Sequence, residues 1–231
     1  MTKDLRQPGF PRERVMAGIL RILSMSFIRP GSEIYASENG SYGLATLRPR
    51  HVTVKGDLVI FDFPGKSGVR QHREFRDRTM ARIIKELLRK PGRVFKYQNG
   101  DDTFVDVKRP LINAYIKEVM GRNFSAKDFR TWAGTLICAC ALARVQDQIN
   151  GNRRANQRLL VAAIKETAEA LGNTPAVCRG SYICPLIMTS FEKGQVIDRH
   201  FVSVKELMTY RGTGLHPAEK ALVKFLKQSN R

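Results

Sequence analysis

The sequence predicts an α+β fold, mostly α-helical, with a small antiparallel β-sheet or hairpin. Two patterns lead there. Apolar residues recur at helical spacing over 13–28, 77–88, 110–119, 126–145 and 155–171, as they do on helices with one buried face. Between the first two of these, 51–54, 58–63 and 69–75 are short strand-like runs, the last two joined through Pro64-Gly65-Lys66-Ser67-Gly68, which reads as a hairpin turn.

The first helix should stop at Arg29-Pro30-Gly31, because Pro and Gly interrupt it. Arg29 then stands at a helix exit, where it either complements the helix dipole or turns into a cleft. Residues 35–47 read as a short helix, a Gly-rich turn and a strand. Lys66 falls at the hairpin tip, either solvated or free to reach a bound phosphate. Pro64-Gly65-Lys66-Ser67 looks like the end of a phosphate-binding loop, but Ile60 occupies the place of the first glycine of G-x-x-x-x-G-K-[ST]. That excludes the nucleotide-binding reading.

Asp77 should cap the next helix, which Pro91-Gly92 terminates. Residues 95–107 are mixed strand and turn, and Pro110 suits a first helical position. Ser125-Ala-Lys-Asp resembles a capping box. It puts Arg130 early in a long helix, where a phosphate would gain from the dipole as well as the guanidinium; an ordinary surface arginine is the alternative. Gly172 ends the helix over 155–171. Ser203-Val-Lys-Glu is a second capping box, and His216-Pro217 opens a last helix.

The stretch 173–185 holds Tyr182 beside Arg179 and Ser181. A phenol with a pKa of about 10 is a poor nucleophile at neutral pH, and cations that stabilise its phenolate and the phosphate it attacks make it useful. Arg29, Lys66 and Arg130 are the candidates. The small residues of 173–185 suggest disorder until a ligand draws the segment together.

Lys and Arg number 40 against 21 acids, a net charge of +19. An excess of that size points to a polyanionic partner, nucleic acid first. No apolar run approaches a membrane span, and the start has no signal-peptide pattern. The four cysteines form no C-x-x-C pair and read as reduced, buried thiols of an intracellular protein. The four histidines have no metal-ligand spacing.

Four segments in order resemble the type IB DNA topoisomerases, in particular their compact bacterial and poxvirus-like branch. They are Phe27-Ile-Arg-Pro-Gly followed by Asn39-Gly-Ser-Tyr-Gly-Leu-Ala-Thr-Leu and His51-Val52; Phe63-Pro-Gly-Lys-Ser-Gly; Ala126-Lys-Asp-Phe-Arg-Thr-Trp; and Asn173-Thr-Pro-Ala-Val-Cys-Arg-Gly-Ser-Tyr-Ile-Cys-Pro. The resemblance implies the catalytic-domain fold shared with the tyrosine recombinases, over 1–231, with a subdivision near 1–120 and 121–231. It makes Tyr182 the nucleophile, Arg29 and Arg130 the arginines on the scissile phosphate, and Lys66 the general acid. Asn173 stands where many members have a histidine on a non-bridging oxygen; an amide donates a hydrogen bond there but carries no charge. Arg179-Gly180 departs from the basic pair common before the tyrosine.

The implied activity is relaxation of supercoiled double-stranded DNA through a 3′-phosphotyrosyl intermediate. It needs no ATP, nucleotide cofactor or metal. The expected state is a monomer in the bacterial cytoplasm, associated with the nucleoid. The family's small N-terminal DNA-clamp domain has no counterpart in these residues, so a catalytic fragment is expected. Two other readings stay open: a tyrosine recombinase, which usually carries H-x-x-R where this chain has Lys127-Asp-Phe-Arg130, and a DNA-binding fragment with little cleavage activity.

Overall fold

The computed structural model describes residues 3–150, 152–210 and 214–228. The chain forms two compact units, 1–129 and 130–231. The first contains α1 (Arg12–Ser26), α2 (Glu33–Glu38), strands β1 (Val52–Lys55), β2 (Leu58–Pro64) and β3 (Arg70–Arg76), α3 (Arg78–Leu87), the β4 (Lys96–Gln98) and β5 (Phe104–Asp106) pair, and α4 (Arg109–Met120). The division falls within α5 (Ala126–Ala143). The second unit continues with α6 (Arg153–Leu171), α7 (Pro175–Ser181), α8 (Pro185–Glu192), α9 (Val204–Thr209) and α10 (Pro217–Gln228).

In the first unit α1 is buried on nearly every side, through Val15, Met16, Ile19, Leu20, Ile22 and Leu23. It packs against α4, β3 and β4. The sheet runs β1-β2-β3, antiparallel throughout, with Val59 opposite Phe75 and Phe61 opposite Arg73. Alternation along the strands puts Val59, Phe61, Phe63 and Phe75 into the core.

Asp77 caps α3 as expected: its Oδ1 accepts the Met80 N–H at 3.0 Å. Its Oδ2 accepts from Arg21 Nε at 2.6 Å, so one buried carboxylate also ties α3 to α1.

In the second unit α5 buries Leu136, Ile137, Cys138, Cys140 and Leu142. The inward stripe of α6 is Leu160, Ala163, Ile164, Ala168 and Leu171. At the start of α10 the Ala218 N–H donates to His216 Nδ1 at 3.1 Å and the His216 N–H donates to Glu219 Oε2 at 2.8 Å. Glu219 Oε1 also accepts from Trp132 Nε1 at 2.8 Å, which fastens α10 to α5. All four cysteines are free thiols. Burial pushes Cys138 and Cys140 up to about 12 and Cys178 up to about 11, so these three stay protonated at neutral pH.

Three expectations are corrected. The first helix ends at Ser26 rather than 28, because Phe27 takes a left-handed conformation with φ 56°. The strand expected within 35–47 is a 3-10 turn, Leu44–Thr46. Ser203 makes no side-chain cap bond; the start of α9 is held by Glu206 Oε2, which accepts the Val202 N–H at 2.9 Å. Residues 173–185, rich in small side chains, form α7 and begin α8. Thr174 accepts the Val177 N–H as N-cap and Pro175 takes the first helical position.

Asp77→Ala is expected to cost about 1–3 kcal/mol in denaturant unfolding, and Asp77→Asn less, because the amide oxygen keeps the cap.

Candidate active site

Three of the five sequence candidates lie in the second unit. Arg130 is 2% exposed. Its Nη2 donates to the Leu171 carbonyl at 3.0 Å, and its Cζ sits 5.0 Å from the centre of the Tyr182 ring. Leu171 ends α6, whose last carbonyls have no partner within the helix and carry the negative end of its dipole. The guanidinium is therefore held between a helix C-terminus and an aromatic face. Both are favourable places for a cation, and together they offset part of the cost of burying it.

Gly172 makes that arrangement possible. It adopts φ 61°, the left-handed region that glycine enters without strain, and donates its N–H to the Glu169 carbonyl. The Asn173 N–H returns to the Ala168 carbonyl at 2.8 Å, completing a Schellman motif. Asn173 is thus fixed by its backbone two residues beyond α6, directly before the Thr174 cap of α7. Tyr182 closes α7, with its N–H donated to the Cys178 carbonyl, and is half-buried.

Arg29 and Lys66 lie in the first unit. Arg29 sits beyond the end of α1, in a loop rather than on the last turn, so its backbone is placed by partners other than the helix. The Leu44 N–H donates to the Arg29 carbonyl at 3.0 Å and the Ala45 N–H to the Pro30 carbonyl at 2.8 Å. This pairing needs two glycines in near contact. A Cβ on Gly43 would lie 2.5 Å from Gly31 Cα and 2.6 Å from the Arg29 oxygen. Gly31 itself has φ 85°.

Lys66 is exposed at the tip of the β2–β3 hairpin, as expected. The turn closes by Gly65 N–H to the Val69 carbonyl at 2.9 Å, with Ser67 at φ 60°. Asp62 and Arg70 pair through two bonds, 2.7 and 2.6 Å, below the tip, and Arg70 holds the Asp62 carboxyl down at about 2. One step from Gly43, the Tyr42 N–H donates to the Pro64 carbonyl at 2.8 Å. Residues 42–45 therefore staple the Arg29 loop to the hairpin that bears Lys66. In the sequence this stretch is visible only as a Gly-rich motif, because its connecting role lies in backbone contacts. Among the described residues, no group of three or more His, Cys, Asp or Glu side chains is placed to hold a metal ion. No described helix is long and apolar enough to cross a membrane.

Residues 1–194 match the family described as eukaryotic DNA topoisomerase I, catalytic core. The chain belongs to the type IB DNA topoisomerases. A DNA topoisomerase 1B of Acanthamoeba polyphaga mimivirus is 33% identical over 79% of this chain and 56% of its own length. A DNA topoisomerase 1B of vaccinia virus is 24% identical over 91% of this chain and 62% of its own. A DNA topoisomerase 1 of Candida albicans is 32% identical over 60% of this chain. The chain thus spans less than two thirds of the two viral relatives. Of the readings left open, the topoisomerase family is established over the recombinases. These relatives are viral and eukaryotic, and they do not support the bacterial placement.

Gly43→Ala is expected to destabilise the protein by about 1–3 kcal/mol through overpacking against residues 29–31. Gly180→Ala, inside α7 with nothing within 4 Å of a new Cβ, is expected to be neutral or stabilising by up to about 1 kcal/mol. Thermal melting of the two variants side by side checks both.

Proposed function

We propose that this protein is a type IB DNA topoisomerase that acts as a monomer on double-stranded DNA. It would relax supercoils by transient single-strand cleavage, without ATP or another nucleotide cofactor and without a required metal. The observation that carries the proposal is the Arg130 guanidinium 5.0 Å from the Tyr182 ring centre, in a chain that belongs to this family over residues 1–194.

In this reading the Tyr182 hydroxyl gives its proton to solvent water as its oxygen attacks a phosphodiester phosphorus. A phosphorus–phenol-oxygen bond forms, the bond to the 5′ oxygen breaks, and the DNA 3′ end stays on the tyrosine. Negative charge grows on the non-bridging oxygens. Arg29 and Arg130 suit that charge because a guanidinium is always ionised and donates in a fixed fork. Asn173 adds a neutral donor. The leaving alkoxide is strongly basic, and Lys66 supplies its proton. The phosphotyrosyl bond conserves the energy of the one broken, so the 5′ hydroxyl reseals the strand by the reverse step after the free end has swivelled. The +19 charge supports an electrostatic grip on the duplex.

The backbone contacts fit this assignment. The half-buried Tyr182 ring rests on a guanidinium that is already fixed. A preorganised donor of this kind loses about 3–4 kcal/mol of barrier lowering when removed. A general acid contributes roughly 10²–10⁴-fold.

Relaxation of negatively supercoiled plasmid in EDTA without ATP tests the proposal. Wild type is expected to relax the plasmid, Tyr182→Phe to be inactive, Arg130→Ala to be slowed about 10²–10³-fold, and Lys66→Ala by about 10²–10⁴-fold. Relaxation by Tyr182→Phe, or a strict need for a divalent ion, would overturn it.

A further inference from the structure

Arg130 is not the only residue of α5 that meets Tyr182. One turn on, Gly134 and Thr135 meet its backbone. A Cβ on Gly134 would lie 2.6 Å from the Tyr182 carbonyl oxygen, 3.1 Å from Tyr182 Cβ and 3.2 Å from Leu171 Cδ1. Gly134 is helical, so its lack of a side chain serves the close approach and not an unusual backbone angle. Thr135 is 3% exposed. Its hydroxyl donates to the Tyr182 carbonyl at 3.3 Å and accepts the Cys184 N–H at 3.1 Å.

These two bonds go to the groups that helix ends leave without partners. Tyr182 follows the last residue of α7, so its carbonyl has no intrahelical donor. Cys184 precedes Pro185 at the start of α8, and its own side chain makes no cap bond. One hydroxyl, which can donate and accept at once, therefore bridges the end of α7 to the start of α8 across Tyr182. The Tyr182 N–H is already given to Cys178 within α7. Both sides of the Tyr182 backbone are thus fixed, one by α7 and one by α5.

We propose that Gly134 and Thr135 are positioning residues for the nucleophile: they fix the Tyr182 backbone on α5 so that its phenol keeps a constant relation to the Arg130 guanidinium. Neither residue touches DNA or the reacting atoms in this assignment. Their effect is geometric, and it rests on the reading of Tyr182 as nucleophile. A misplacement of about 1 Å at a reacting group costs on the order of 10²-fold in rate. Loss of the bridge is therefore a kinetic defect rather than a binding defect. Because the same transition state serves cleavage and resealing, both rates fall together and the ratio of covalent to non-covalent complex stays near that of wild type.

The experiment compares wild type, Thr135→Val, Thr135→Ser, Gly134→Ala and Tyr182→Phe. Each is assayed for single-turnover formation of the covalent adduct on a nicked-duplex oligonucleotide, for resealing, and for DNA affinity. Valine keeps the shape and removes both hydrogen bonds, whereas serine keeps both. Thr135→Val and Gly134→Ala are expected to slow adduct formation and resealing about 10–100-fold at unchanged DNA affinity, with Thr135→Ser within a few-fold of wild type. If Thr135→Val does not fold, Thr135→Ala takes its place, and a rate at least tenfold below Thr135→Ser supports the proposal. Thr135→Val at the wild-type rate, Thr135→Ser as slow as Thr135→Val, or a loss that lies in DNA affinity overturns it. An adduct formed by Tyr182→Phe would instead sink the underlying assignment of the nucleophile.

Discussion

A buried guanidinium has to be compensated, and in the second unit much of the local architecture follows from how Arg130 is. Two of its partners are the last carbonyl of α6 and the ring of Tyr182. The first exists because Gly172 ends α6 with a left-handed turn at that point. The second exists because α7 starts at once, through the Thr174 cap and Pro175, and finishes with Tyr182 against α5. Remove the charge and the turn, the short helix and the tyrosine lose their common reference. A cation held in this way has already met its burial cost when the protein folds, which is the condition under which it can lower a barrier later.

The first unit meets a different constraint, the distance of closest approach of two backbones. Gly31 and Gly43 have no side chains to separate them, so the N–H groups of Leu44 and Ala45 at the 3-10 turn reach the carbonyls of Arg29 and Pro30. Tyr42 then joins the same stretch to Pro64 at the base of the turn that carries Lys66. The link from the Arg29 loop to the hairpin is made of backbone hydrogen bonds, which do not depend on what the neighbouring side chains are. The backbones of the Arg29 loop and the Lys66 hairpin are consequently tied together through a close approach that two glycines permit.

Much of this was legible beforehand. Long amphipathic periods gave α1, α3, α5 and α6, and the Asp77 cap and the hairpin around Lys66 follow from residue types that leave few alternatives. What was missed has physical reasons. Leu44–Thr46 has the apolar composition of a strand, but Thr46 closes it as a 3-10 turn: its N–H donates to the Gly43 carbonyl and its hydroxyl accepts the Gly43 N–H. The helix within 173–185 was not read from the sequence, whose small residues there drew attention to disorder before a ligand binds. However, Thr174-Pro175 is an N-cap followed by a first-turn proline, a readable signal for α7. Gly134 and Thr135 could not be found from spacing, because a glycine and a threonine inside a helix gain meaning only from what packs against them. Site roles came from resemblance; residue by residue, Arg29 and Lys66 were as compatible with solvent as with phosphate.

The central claim is that the chain makes a covalent bond to DNA through Tyr182. The direct measurement is to trap the adduct on a nicked duplex, digest protein and DNA, and sequence the modified peptide by mass spectrometry. The account predicts a single modified peptide, with a nucleotide 3′-phosphate on the oxygen of Tyr182 and a free 5′ hydroxyl on the released strand. A nucleotide on another residue, attachment through the 5′ end, or no adduct from protein that binds the duplex would contradict it.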